Sequence, residues 1–312
     1  MEVYTNNLPS DGKKYCVALG NFDGLHRGHQ SIILSASEFA KKNNLKMCMY
    51  TFKVHPSEII GNRKKILTDN AEKTSLAQIY GCDCIFFEDF NEVRHMSPDE
   101  FCRSILRDKL RATHVFCGEN YRFGYQGIGD TGTLKTELEK LNIGLTVMPF
   151  VYNNDNIISS TIIRESITSG DVEYSSKLLG HYYTVSGTVV HGKHLGRTLG
   201  FPTVNIPIPE NKIVPKFGVY ITECLLDGFL YKSISNIGVR PTVDSETSLS
   251  HVVNCETYLF DYCSDAYGKE ITLYFHKKIR NEIKFSEIAF LKKQIEKDVY
   301  EAREYFENIK QS

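Results

Sequence analysis

Two imidazoles three residues apart, His26 and His29, sit in the run Gly20-Asn21-Phe22-Asp23-Gly24-Leu25-His26-Arg27-Gly28-His29. At the start of a helix such a pair can donate hydrogen bonds to phosphate oxygens as negative charge shifts during transfer at phosphorus. Gly24 and Gly28 allow a tight turn and close backbone approach, and a helix beginning near His29 aims its first amides at the same place. A second cluster, Ile158-Ser159-Ser160-Thr161-Ile162-Ile163-Arg164, puts three hydroxyls at a helix start and an arginine one turn in. That arrangement suits an anionic leaving group. A third stretch, 187–205, is glycine-rich but is not a P-loop, because no G-K-[ST] opens a helix. Its glycines join strands, and Thr203 and Asn205 offer oxygens that suit Mg²⁺ beside nucleotide phosphates. Taken singly, each cluster has a plainer reading. H-x-G-H is also a strand–helix turn, Ser-Ser-Thr a helix cap, and glycines between strands a turn.

These residues need elements to hold them. In the first half, short apolar strands alternate with amphipathic helices. Residues 15–19, 45–52, 84–87, 113–117 and 145–148 read as strands, and Ile32, Ile33, Ala36, Phe39 and Ala40 share one helical face. Ser97-Pro98-Asp99-Glu100 opens another helix, with Ser97 as cap and Glu100 closing a capping box. The alternation predicts an α/β, Rossmann-like domain with a parallel sheet, whose ligands bind at the carboxyl ends of the strands. Thr51-Phe52-Lys53-Val54-His55-Pro56 follows the second strand and falls at that same edge.

After about residue 179 the pattern changes. Residues 183–190, 203–206, 219–226, 229–237, 252–260 and 271–276 read as strands, with Asp227-Gly228 as a two-residue hairpin turn. One long helix follows, capped by Ser286, with the apolar stripe Ile288, Leu291, Ile295, Val299, Ala302 and Phe306. The expectation is a six-stranded antiparallel β-barrel with a closing helix, and domains at 1–181 and 182–312.

Composition narrows the function. The chain has 312 residues, enough for two cores, and 37 Lys plus Arg against 38 Asp plus Glu. That balance argues against a surface built for nucleic acid or an anionic membrane. The first 14 residues lack the apolar core of a secretion signal, and no apolar run reaches membrane-spanning length. The nine cysteines form no C-x-x-C pair, and they read as reduced thiols of a cytoplasmic protein rather than a zinc site.

The motifs, in order, resemble those of the flavin-adenylating nucleotidyltransferases, which show G-x-F-D-G-x-H-x-G-H, T-F-x-P-H-P, G-x-[DN]-[FY]-x-F-G and I-S-S-T-x-I-R. The third occurs here as Gly118-Glu119-Asn120-Tyr121-Arg122-Phe123-Gly124, and Lys53-Val54 departs from the second. The other half resembles riboflavin kinase, through Gly192-Lys193-His194-Leu195-Gly196-Arg197-Thr198-Leu199-Gly200-Phe201-Pro202-Thr203-Val204-Asn205 and through Asn236-Ile237-Gly238-Val239-Arg240-Pro241-Thr242. Cys255-Glu256-Thr257-Tyr258 matches the segment that bears the family's catalytic glutamate, with Tyr258 where His is common. Together the resemblance is to bifunctional prokaryotic FAD synthetases.

The resemblance implies riboflavin, FMN, FAD and ATP as ligands, ATP being the co-substrate, with Mg²⁺ as cofactor. FMN would attack the α-phosphorus of ATP in line, with no covalent enzyme intermediate. His26, His29 and Arg164 would attend the triphosphate, and Gly20, Phe22, Asp23, Gly28, Ser159, Ser160 and Thr161 the nucleotide. Asn120, Phe52, Tyr121 and Arg240 would contact flavin. In the kinase half, Gly192, Lys193, Gly196, Arg197, Thr203 and Asn205 would hold ATP, Thr203 and Asn205 the metal, and Glu256 would take the ribityl proton. The expected state is a monomer or weak homo-oligomer without nucleic-acid or membrane partners. A chain with one working half, and a flavin-binding regulator, are the alternatives.

Overall fold

The computed structural model describes residues 1–8, 12–62, 64–192, 195–240 and 252–310. They form two compact units, Met1–Ser160 and Thr161–Ser312.

The first unit is built on a six-stranded sheet, ordered Glu2–Tyr4, Cys84–Glu88, Lys46–Phe52, Tyr15–Leu19, Ala112–Gly118, Gly144–Met148, with every pairing parallel. Tyr15–Leu19 is buried at each position, as a central strand covered on both faces must be. Its side chains alternate. Val17 and Leu19 join Tyr50, Phe86, Leu106 and Leu134 on one side, while Cys16 and Ala18 join Met49, Ile33, Ala36 and Ala40 on the other. Ile33, Ala36 and Ala40 belong to the helix Arg27–Lys42, whose buried face is the expected one.

Because the strands run parallel, the loops after Leu19, Phe52, Glu88 and Gly118 share one edge. Ser97 caps as expected, its Oγ accepting from Glu100 N at 3.1 Å, and the helix continues over Phe101–Lys109 with the wider π winding. Among the elements that were not expected are the edge strand Glu2–Tyr4 and the helices Asn70–Ile79 and Thr131–Lys140.

The second unit holds six strands ordered Thr203–Pro207, Val252–Leu259, Phe229–Arg240, Gly218–Leu226, Glu270–Arg280, Tyr183–Thr188, all antiparallel. The sheet curls until its ends meet, for Val190 N donates to Asn205 O at 2.8 Å. Asp227 and Gly228 both have positive φ (52° and 81°), which makes the hairpin turn type I′. Alternation divides the residues between two layers. Ile221 and Ile234 pack against Ala302 and Phe306 of the closing helix Ile288–Lys310. Thr222, Ser233, Ser235 and Thr257 lie in the other layer and link their hydroxyls at 2.7–2.8 Å. The apolar stripe was expected to bury Ile288, but Ile288 is 62% exposed and neighbouring Phe290 is exposed too. The helix's first turn lies outside the packed cluster, where Ile295 and Val299 are the first to join it. All nine cysteines are free and only Cys263 is exposed.

Candidate active sites

The loop between Leu19 and the helix at Arg27 bends through three left-handed residues, Phe22 (φ 47°), Gly24 (85°) and Leu25 (34°). Non-glycine residues hold that conformation only when packing fixes them, and here Phe22 and Leu25 are fully buried. The Phe22 ring lies beneath Gly20, where a Cβ would come within 3.0 Å of its Cζ. His26 is the helix cap: its Nδ1 accepts from His29 N at 3.4 Å, so the neutral ring carries its proton on Nε2. The helix therefore starts at Arg27, slightly earlier than the sequence suggested. The His26 and His29 rings stack at 3.7 Å and 19°, and Phe22 meets His29 edge-to-face with centroids 5.3 Å apart. Gly28 permits the stack, since a Cβ there would press on His26 Nδ1 at 3.2 Å. Burial, then the neighbouring His26 and Lys73, lower the His29 pKa well below the usual imidazole range. His29 Nδ1 is buried without a hydrogen-bond partner.

Buried hydrogen bonds hold this loop in place. Asp23 Oδ1 accepts from Leu67 N (2.8 Å) and Thr68 N (3.1 Å), and Thr68 Oγ1 accepts from Gly24 N (3.0 Å). Ser160 Oγ donates to Asp23 O at 2.9 Å, so the Ser159-Ser160 helix start is tied to the loop. Asp23 and Phe22 thus point inward and shape the loop, leaving its backbone and the two imidazoles to meet a ligand. Thr161 and Arg164 belong to the second unit, in the helix Ser160–Ser169; Thr161 is exposed and Arg164 half-buried. The residues missed in the sequence are Leu67, Thr68 and Lys73. Their signal was the capping box Asp69-x-x-Glu72, which the structure contains.

At the same sheet edge, the Asn120 Oδ1 lies over Gly118, 3.3 Å from where a Cβ would be. Tyr121 stacks on Phe123 and Phe52 meets Phe90 edge-on at 5.3 Å. Both are only partly buried and border the core. Burial raises the Tyr121 pKa, keeping its phenol neutral.

In the second unit the register assembles a row. Asn205 pairs with Glu256, and Glu256 with Asn236, across three adjacent strands. Residues directly opposite in this way share a face, with Cβ atoms about 4.5–5.5 Å apart. Thr203, two places from Asn205, lies on the same face. Glu256 is exposed, whereas Asn205 is 4% exposed and its Oδ1 has no hydrogen-bond partner. Gly192 and Gly196 lie at this corner. A Cβ on Gly192 would strike the Asn205 carboxamide, and one on Gly196 would strike Phe201 O and press on Thr203 Oγ1 at 3.4 Å. Lys193 lies outside the described residues, as do the side chains of Arg197 and Arg240.

An imidazole-bearing loop lies at the edge of a parallel sheet, and a carboxylate lies between amides on a curled antiparallel sheet, and both suit a two-part transferase acting at phosphorus. A family model for FAD synthetase matches residues 8–162, and one for riboflavin kinase matches residues 179–306. The chain is 35% identical to the bifunctional riboflavin kinase/FMN adenylyltransferase of Bacillus subtilis (strain 168), over 97% of this chain and 96% of that protein. Identity to the Escherichia coli (strain K12) protein of the same name is 33%, over 96% of each. A solved structure named as a macrolide-efflux protein from Streptococcus pneumoniae shares the fold, with a TM-score of 0.86 and 26% identity over 97% of this chain and 99% of that one. The chain belongs to the bifunctional riboflavin kinase/FMN adenylyltransferase family. Among the described residues no helix is long and apolar enough to cross a membrane.

Proposed function

We propose that the protein makes FAD in two steps, with each step assigned to its own group of residues. The kinase residues transfer the γ-phosphoryl of ATP to riboflavin, giving FMN. The adenylyltransferase residues then join the AMP moiety of a second ATP to FMN, giving FAD and pyrophosphate. The observation that carries this reading is the Asn205–Glu256–Asn236 row, which sets one carboxylate between two amides. Glu256 is exposed on that face, and we assign it the proton of the ribityl hydroxyl.

Thr203 and Asn205 fit a Mg²⁺ site. The Asn205 Oδ1, a hard oxygen donor, has no hydrogen-bond partner, and glycine at 192 lets the backbone approach the carboxamide closely. A metal there would neutralise charge on the ATP phosphates during phosphoryl transfer. In the first unit, catalysis is positioning and charge stabilisation, since the FMN phosphate is itself the nucleophile. His26, with its proton on Nε2, and His29 would donate to the triphosphate. The nine free thiols support a reducing cytoplasm as the setting, which cell fractionation tests.

Riboflavin, ATP and Mg²⁺ incubated with the protein should yield both FMN and FAD when the flavins are separated by chromatography. Unchanged riboflavin would indicate a binding protein, and FMN alone a chain with one working half. Chelation of Mg²⁺ should stop phosphorylation; phosphorylation that continues would remove the metal from Thr203 and Asn205.

The kinase half should also work alone. We place the boundary between the activities near residue 181. The helix Val172–Leu179, with Leu178 and Leu179 buried, belongs to the second compact unit. A fragment of residues 161–312 should therefore fold and phosphorylate riboflavin, and one of residues 182–312 should melt at a lower temperature. A folded but inert 161–312 fragment would show that the kinase needs residues from the first half.

A further inference from the structure

The helix Asn70–Ile79 carries a lysine that no motif marked. Lys73 is 6% exposed, a rare state for a lysine. Its Nζ donates to Asn21 O at 3.1 Å and Thr51 Oγ1 at 3.5 Å, and Thr51 Oγ1 itself donates to Asn21 O at 3.0 Å. Asn21 belongs to the imidazole loop and Thr51 to the end of the neighbouring strand, so the ammonium joins two segments of the sheet edge. Burial lowers its pKa to about 8, against the pull of the Asp23 and Asp69 carboxylates, and at neutral pH it stays largely charged.

For stability alone this is a poor choice. An apolar side chain of similar length would fill the space without the cost of burying an ammonium. A cation at the base of a loop suited to polyphosphate gains its return when the anion arrives.

We propose that Lys73 is a positioning residue for adenylyl transfer. Its ammonium fixes the Asn21 carbonyl, and with it the loop that carries His26 and His29, and adds a fixed positive field beneath the triphosphate. The proposal rests on assigning the Gly20–His29 loop to adenylyl transfer.

Lys73→Met, which keeps the length and removes both charge and donors, tests it. The turnover of FMN to FAD should fall about 10²-fold, the cost typical of a misplaced reacting group. The KM for FMN should move no more than threefold, riboflavin phosphorylation by the same chain should be unchanged, and the melting temperature should not fall. Lys73→Gln, which restores donors without charge, should fall between wild type and Lys73→Met. Turnover of Lys73→Met within threefold of wild type would overturn the proposal. So would unfolding of both variants, which would assign Lys73 to stability. His29→Ala run in parallel separates the two failures. If it keeps FAD synthesis, the loop assignment itself is wrong; if it loses FAD synthesis while Lys73→Met is fully active, only the role of Lys73 is lost.

Discussion

Glu256→Gln is expected to slow riboflavin phosphorylation by about 10²–10⁴-fold, the usual contribution of a general base. Glutamine keeps the size and much of the hydrogen-bonding capacity of glutamate and lacks only the basic oxygen. Glu256 is exposed in mid-strand between Asn205 and Asn236, so the change disturbs no core packing. Thr203, Asn205 and the glycine loop are untouched, and the KM for ATP should hold. FMN supplied directly should still become FAD at the normal rate, because that step starts from a phosphate and needs no proton removed. Near-normal phosphorylation by the variant, measured as FMN formed over time, would leave Glu256 as a packing or orienting residue.

His29→Ala should have the converse effect. FAD formation should drop about 10²–10³-fold, as when one donor to developing charge is lost, while riboflavin phosphorylation continues. The fold should survive. The buried His29 Nδ1 has no partner, so truncating the ring strands no buried group through that atom. The His29 amide that His26 caps belongs to the backbone and remains. Both activities assayed on one preparation provide the control, and an equal fall in both would sink the separation into two sites.

How far sequence led to these positions differs between the two units. The imidazole loop was legible because its residues are contiguous, and a strand on one side and a helix on the other fix it. Strands of the second unit were legible from alternation, usually within a few residues of their ends. Alternation assigns faces but not register, so the Asn205–Glu256–Asn236 row across three strands needed the structure. The helix Asn70–Ile79 escaped because its pattern misleads: Lys73 is buried and Ile79 is 73% exposed. Glu2–Tyr4 is a three-residue edge strand, too short to show a period. Asp23 illustrates the limit at the site. It sits inside a phosphate-suited motif, yet its Oδ1 accepts amide hydrogens from 44 and 45 residues away, a partnership no local pattern encodes.

The buried hydroxyls of Thr222, Ser233, Ser235 and Thr257 bear on how this sheet can diverge. Thr222 Oγ1 meets both Ser233 and Ser235, and Ser235 meets Thr257 in turn. A hydroxyl donates one proton, so the order of donors along the chain is a shared property rather than a local one. Losing one member takes a hydrogen bond from each hydroxyl it meets, at about 0.5–1.5 kcal/mol, whereas exchanging adjacent members together for apolar groups of the same shape is nearly neutral. Single steps are thus penalised and paired steps are permitted. Across descendants of this sequence these four positions should change in concert, as one inherited character.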